Sequence, residues 1–468
     1  MKLNKVVVHG NFEILHTGHI RLFLYAKEIG EKLIVGLCTS GLESEEIRRR
    51  LDNLKSNRII DEVVCYFQIE ELIDKIRPNA VIKGREFIGV ENPEELLLES
   101  YGGQLIFSSG ENNILQSDVS PSLFSKTLVT RESTENFLRR NQISLDMLAN
   151  TLNTFETKRI LVVGDVILDE YVDCTPVGLS QESSTLVAQP ISSKRYLGGA
   201  GIIAAHCSSL GAQTTLLTVL GTDNESEIVR TFCIDYKTTL REVRDNNSPT
   251  ILKQRFVHGK QMLFRLNRFQ AQGFSRNIRD ELKSQFYNLV EGFDAVIFAD
   301  FSYGVLNFED IGDMVARAKS LGVFVAADSQ SSSQIGNLLK FKGANLICPT
   351  EHEARIEIRS QDGLIVLSHK LLKLMQSDYI FLKLGADGVI VGGLKLKTDH
   401  ISAMNENPVD VAGAGDSLIA ASTLAFSSGA SPYVAAFIGS LAAAIQVSRS
   451  GNQPISRSSI TALLDQLN

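Results

Sequence analysis

Short runs of β-branched residues, apolar at every position, recur along the chain and alternate with stretches of helical period. Val6-Val7-Val8 runs into His9-Gly10, and Ile160-Leu161-Val162-Val163 runs into Gly164-Asp165. Uninterrupted runs of this kind predict strands buried on both faces, as in parallel sheets covered by helices. Between residues 5 and 110, further runs at 33–37, 62–65, 80–82 and 104–107 alternate with helical segments. That is the rhythm of a small doubly wound domain. A longer α/β region starts near residue 158, with strands expected at 214–219, 295–299, 324–327, 346–347, 379–383 and 389–391. One part has a different period: 250–255 and 261–266 alternate in polarity around His258-Gly259, which predicts a hairpin that could serve as a lid. Residues 110–156, rich in Ser, Asn, Glu and Arg, read as a polar connector ending in an amphipathic helix over 144–155. The expected fold class is α/β, with two doubly wound parallel-sheet domains. The expected division is 1–118, a connector 119–156, and 157–468 carrying a β lid.

Composition narrows the function classes. A chain of 468 residues, 44% hydrophobic and 22% charged, is globular and excludes a disordered or fibrous protein. A net charge of −7 argues against nucleic acid and membrane surfaces as partners. The 6 Cys show no paired spacing for zinc or a redox pair, and read as core residues of a reducing compartment. The first strand is too short for a signal segment or a membrane span, so a soluble, cytoplasmic protein is expected.

Two strings carry chemistry. The first is Gly10-Asn11-Phe12-Glu13-Ile14-Leu15-His16-Thr17-Gly18-His19, where a strand ends and a helix begins. A helix N-terminus offers unpaired N–H groups and a positive dipole end, which suits phosphate. His16 and His19 placed there could stabilise charge growing on an α-phosphate, and Gly18 lets the phosphates approach the backbone. The alternative is a pair of capping or core histidines. The second is Asp410-Val411-Ala412-Gly413-Ala414-Gly415-Asp416-Ser417. Small residues at 413–415 expose successive N–H groups as an anion hole, and Asp416 beside them could accept a proton from a sugar hydroxyl attacking a γ-phosphate.

The first string resembles the signature of the cytidylyltransferase-like nucleotidyltransferases, with Glu13 at the family's Asp position. That resemblance implies catalytic roles for His16 and His19, and nucleotide contacts from Gly10, Phe12, Gly18, Arg50 and Lys83. The loop before Arg50 is shorter than the family's, and its late Ser-Thr-Thr turn is not evident near 110–120. The second string, with Gly198-Gly199-Ala200-Gly201, Asp169 and the hairpin, resembles the PfkB (ribokinase-like) carbohydrate kinases over most of 158–465. Among those it is most similar to the heptose-7-phosphate kinases, whose Ser-Pro-Glu segment corresponds to Ser180-Gln181-Glu182. The resemblance implies Asp416 as general base, Gly413, Ala414 and Gly415 as anion hole, and Gly385 and Gly388 at the nucleotide. It further implies Asp169, Gly198, Gly199, Lys253, Arg255 and Arg265 at the sugar and its phosphate, and Glu353 organising magnesium through water. Departures are Thr350 for the family's Asn, Ala412 for its Thr, and Ile202 where an Asn is usual.

Both resemblances together are similar to the bifunctional heptose-7-phosphate kinase/heptose-1-phosphate adenylyltransferase family, with the halves in reversed order. What this implies is ATP and Mg2+ as cofactors, a sugar phosphate and a nucleotide as ligands, and a homodimer formed through the lid. Two alternatives stay open: a kinase of another sugar fused to a CTP-using polyol-phosphate cytidylyltransferase, or a degenerate nucleotide-binding protein.

Overall fold

The computed structural model describes residues 3–13, 15, 17–84, 87, 92–108, 131–179, 185–259, 261–270, 273–330, 336–360, 362–405 and 407–467. Three sheets organise them. The apolar runs at the start form β1 (Leu3–Gly10), β2 (Gly30–Cys38), β3 (Glu62–Tyr66), β4 (Ala80–Gly84) and β5 (Gln104–Ser108). They pair in parallel in the order β3-β2-β1-β4-β5. The chain winds outward from β1 to β3 and then crosses to β4 on the other side. The strand order therefore reverses between β1 and β4, and the crevice beyond their C-terminal ends is where such sheets bind ligands.

The second half supplies β6 (Arg159–Gly164), β7 (Val166–Leu179), β8 (Leu186–Gly199), β9 (Gln213–Leu220), β10 (Thr239–Arg244), β11 (Ile251–His258), β12 (Gln261–Arg268), β13 (Ala295–Asp300), β14 (Phe324–Ser329), β15 (Leu346–Ile347), β16 (Tyr379–Lys383), β17 (Val389–Gly393) and β18 (Leu396–Ile401). A nine-stranded sheet runs β10-β9-β6-β13-β14-β15-β16-β17-β18, parallel up to β16 and antiparallel at its last two pairings. Here the order reverses between β6 and β13. Its interior strands are buried along their length; all six residues of β13 are, for example. The lid is a separate four-stranded sheet, β12-β11-β7-β8. The expected hairpin is β11-β12. Of its long partners, β7 opens on the buried run Val166-Ile167-Leu168, whereas most of β8 faces solvent.

The connector is partly folded onto the second half. Ser144 caps the helix Leu145–Asn153 by accepting from Met147 N–H. A further helix, Arg131–Arg140, buries Phe137, whose ring stacks on Phe437 at 6.1 Å. Its Arg140 Nε donates to both Asp399 oxygens, at 2.9 and 3.0 Å.

The two halves also meet at the first signature string. Leu364 N–H donates to Leu15 O at 2.8 Å, and Ile365 is buried in the core of the first half. Asn57 bridges Thr398, and the Arg58 guanidinium lies 4.8 Å from the Tyr433 ring. A Cβ on Gly363 would stand 2.2 Å from Leu15 O, so no side chain fits at that position without moving the loop. Gly363→Val is therefore expected to loosen the first half, costing about 1–3 kcal/mol. Chemical denaturation monitored at both halves checks this, and an unchanged midpoint would show that the contact constrains nothing.

Candidate active site

The C-terminal edge of the nine-stranded sheet gathers carboxylates. Asp165 follows β6, Asp300 ends β13 and Asp328 lies near the end of β14. Asp165 is fully buried and accepts from the N–H groups of Phe301, Tyr303 and Val305 at 2.9, 3.2 and 3.1 Å, which fixes the loop after β13. Burial, and then the charge of Asp300, raise its pKa, while those three N–H groups oppose the rise. Asp300 in turn accepts from Lys340 Nζ at 2.8 Å and Ser329 Oγ at 2.9 Å.

The Gly-Ala-Gly turn opens the helix Ala414–Ser427. Gly413 sits at φ +79°, in the left-handed region, and a Cβ there would lie 2.2 Å from Asn452 Oδ1. Glycine alone meets both conditions. Asp410 holds the turn from the other side, accepting from Ala412 N–H at 3.0 Å and Gly451 N–H at 3.1 Å. The helix start contributes the positive end of its dipole to an anion placed there.

Asp416, on the first turn of that helix, is 5% exposed and accepts from Gln330 Nε2 at 2.8 Å. Burial pushes its pKa up to about 7; the charges of Asp328 and Asp169 add to this, and Lys383 and Gln330 oppose it. A carboxylate poised near neutrality suits a general base. Lys383, at the end of β16, donates to both Asp328 oxygens at 2.7 and 3.0 Å. Burial raises Asp328 to about 6 against the pull of Lys383.

The lid brings its charged residues to one face. Register pairs Lys253 and Arg255 of β11 with Asp169 and Tyr171 of β7, and Arg255 with Arg265 of β12. Residues two apart on a strand share a face, so Asp169, Lys253, Arg255 and Arg265 lie on the same side. Arg255 pairs with Asp169, and its guanidinium lies 5.0 Å from the Tyr171 ring. Tyr171 Oη in turn lies 3.4 Å from Asp410 Oδ2, linking the lid to the Gly-Ala-Gly turn. Lys253 Nζ lies 5.1 Å from the Tyr303 ring, over the loop that Asp165 holds. Gly198 leaves room for the Asp169 carboxylate, whose oxygen would be 2.3 Å from any Cβ.

Other expected residues also shape the local backbone. Glu353 closes a capping box with Thr350 at the start of the helix Glu351–Ile358, accepting from Thr350 N–H at 2.7 Å. Gly385 and Gly388 shape the turn between β16 and β17, where Leu384 N–H donates to Gly388 O. Among the described residues no three His, Cys, Asp or Glu side chains group as a metal site. The Ser180-Gln181-Glu182 segment lies outside them.

At the first half's switch point, His16 lies outside the described residues. His19, on the helix Thr17–Ile29, packs edge-on to the Phe12 ring at 5.3 Å, and Phe12 takes the uncommon φ of +42°. Gly18 lies in the same first turn, and Gly10 ends β1. Arg50 is 4% exposed and donates to Asn11 O at 2.7 Å, tying down the signature loop from below. Lys83 pairs with the buried Glu94 and donates to Asn92 Oδ1 at 2.7 Å. His9 Nε2 also reaches Glu94, at 3.1 Å. Burial works against the Glu94 charge, yet His9 and Lys83 outweigh it and hold its pKa down to about 2. Arg50 and Lys83 thus both lie at the crevice edge with carboxylate partners; Arg50 pairs with Glu46.

Sequence reasoning missed Asp328, Lys383 and Gln330. For Asp328 and Lys383 singly, the available signal was a charged residue closing an apolar run, at the strand end where parallel sheets place their chemistry; Gln330 carried none.

A nine-stranded, mostly parallel sheet with a β lid, and a Gly-Ala-Gly turn opening a helix that carries a buried Asp416, is the architecture of the carbohydrate-kinase class. The chain belongs to the pfkB family of carbohydrate kinases, whose family model matches residues 157–458. Residues 7–102 match the cytidylyltransferase-like family model. Among curated proteins, the chain is similar to the "Bifunctional protein HldE" of Koribacter versatilis, 26% identical over 314 residues, or 66% of this chain and 64% of that protein. The protein of the same name from Shewanella piezotolerans is 29% identical over 315 residues, again 66% and 64%. The alignments thus span about 64% of these relatives' length. Among solved structures, phosphofructokinase-2 from Escherichia coli in complex with substrates and products superposes with a TM-score of 0.56 at 15% identity, covering 66% of this chain and 99% of that one. Ribokinase from Thermotoga maritima gives 0.53 at 20% identity, with 66% and 99% covered. Both likenesses concern the fold.

A base with a pKa of about 7 gives a signed pH profile. Asp416 must be ionised to accept a proton, so kcat/KM for sugar phosphorylation is expected to rise about tenfold per pH unit below about 7 and level off above it. A flat profile from pH 5 to 9 would remove Asp416 as the base.

Proposed function

We propose that the second half transfers the γ-phosphoryl group of ATP to the C1 hydroxyl of a heptose 7-phosphate. Asp416 takes the hydroxyl proton as the new P–O bond forms. The bond to the β-phosphate oxygen breaks, and ADP departs with the electron pair. The 413–415 amides hold the charge on the phosphoryl oxygens, and Asp169 orients the sugar. Lys253, Arg255 and Arg265 on the same lid face would take up the 7-phosphate, with the two guanidinium groups suited to bidentate contact. Mg2+ bound with the nucleotide would supply charge neutralisation at its phosphates, with Glu353 as the residue that would hold its waters. The observation that carries this reading is the placement of Asp416 beside the main-chain cup, within electrostatic reach of the lid residue Asp169.

The first half, in the same reading, transfers AMP from ATP to a sugar 1-phosphate with release of pyrophosphate, completing an ADP-heptose for lipopolysaccharide. The 7-phosphate would be removed by another enzyme in between. The division 1–118, 119–156 and 157–468 is proposed with it. The carboxylate partners of Arg50 and Lys83 favour a second reading for this half, nucleotide binding with impaired turnover. A second copy is the proposed partner: Val177, Ile191, Phe264 and Leu266 of the lid are 64, 64, 48 and 53% exposed, an apolar surface that a neighbouring lid would cover. No helix among the described residues is long and apolar enough to cross a membrane. The cytoplasm, which supplies ATP, is the proposed compartment.

Incubation with MgATP and heptose 7-phosphate is expected to yield a 1,7-bisphosphate, with ribose and fructose 6-phosphate at least about tenfold poorer. A preference for either alternative would overturn the substrate assignment. Pyrophosphate release with heptose 1-phosphate supports an active first half, CTP preferred over ATP makes it a cytidylyltransferase, and nucleotide binding without release supports the second reading.

A further inference from the structure

The ion pair between Lys383 and Asp328 belongs to none of the roles above, yet it abuts the catalytic turn. A Cβ built on Gly415 would lie 3.2 Å from Lys383 Nζ and 3.9 Å from Asp328 Oδ2, so no side chain separates the pair from the anion hole. Both charges stand on rigid strands. Lys383 N–H donates to Pro349 O at 2.8 Å, and Thr350 bridges to Lys383, which anchors the end of β16. Asp328, 1% exposed, lies in β14 two residues before Gln330, whose amide reaches Asp416.

Stability is a poor reason for such a pair. Replacing a buried ion pair with apolar residues is often neutral or stabilising. Its charge has a more specific use. Asp416 faces Asp328 from β14, Asp169 from the lid, Lys383 from β16 and the neutral amide of Gln330. Glu353, from the helix Glu351–Ile358, bears on the pair itself. Lys383 is the cation among these groups. Without it, neighbouring carboxylates would keep Asp416 protonated through neutral pH and unable to accept a proton.

We propose that Lys383 and Asp328 are positioning residues of the phosphoryl-transfer site: their ion pair backs the 413–415 turn and sets the charge that the Asp416 carboxylate feels. The proposal rests on the kinase reading, but the effect on Asp416 is readable without turnover.

The test is a 13C NMR titration of full-length protein labelled at aspartate, with Asp416→Asn assigning the resonance. Lys383→Met is expected to raise the Asp416 midpoint by about one pH unit and to move the acid limb of kcat/KM with it. The double variant Lys383→Met/Asp328→Asn loses both charges. Its midpoint should return to within about half a unit of wild type, while kcat stays about tenfold low and the sugar KM holds. An Asp416 midpoint unmoved by Lys383→Met would overturn the proposal. If that variant does not fold, the double variant decides: wild-type kcat in it would overturn the proposal as well. Absence of turnover by wild-type protein with every sugar phosphate would instead overturn the kinase reading, and the carboxyl titration would still decide the role of the ion pair.

Discussion

Holding an ionisable carboxylate in a nearly dry site, close to other carboxylates, is the constraint on which this structure turns. An isolated buried charge is prohibitively costly, so each acid must be matched by donors or a cation, or give up its charge. The nine-stranded sheet meets the constraint with a different partner set at each strand end. Asp165 takes three main-chain N–H groups, Asp300 takes Lys340 and Ser329, and Asp328 takes Lys383. The first two acids build a loop and a strand end. The third stands beside Asp416, where burial and the neighbouring carboxylates, opposed by Lys383 and Gln330, leave a carboxylate balanced near neutrality. Local electrostatics thus separates the paired structural acids from Asp416, the one left near neutrality.

The same constraint shapes the first half with a different outcome. Lys83, His9 and Glu94 compensate one another at the edge of β1 and β4, and Arg50 is buried beneath the signature loop. These residues hold the crevice in shape. The second half reinforces this by pinning Leu15 from Leu364 and burying Ile365 in the neighbouring core. The halves therefore share structure at the loop that carries the nucleotidyltransferase signature.

Much of the scaffold was legible because buried parallel strands must be apolar throughout. The runs at 33–37, 295–299 and 379–383 lie in β2, β13 and β16. The lid was half legible: β11 and β12 alternate in polarity, whereas β8 is largely solvated and β7 passes from buried at 166–170 to exposed at 175–178, so neither shows one period along its length. The Gly-Ala-Gly turn was legible as the start of the helix Ala414–Ser427, because such tight turns need small residues in sequence. Lys383, Asp328 and Gln330 were not, since their meeting depends on the parallel pairing of β14, β15 and β16, which no local pattern encodes. Arg50 and Lys83 mark the opposite limit. Motif position put them at a nucleotide, and the acidic partners Glu46 and Glu94 became apparent only in three dimensions.

The central claim is that Asp416 accepts the proton while the main-chain cup holds the transferred charge. Its most direct test measures phosphoryl transfer and ADP binding on the same preparation of Asp416→Asn. The account predicts transfer lowered at least about a thousandfold with ADP affinity kept within about threefold, since the asparagine preserves shape and removes the base. Transfer within tenfold of the unmodified protein would contradict it.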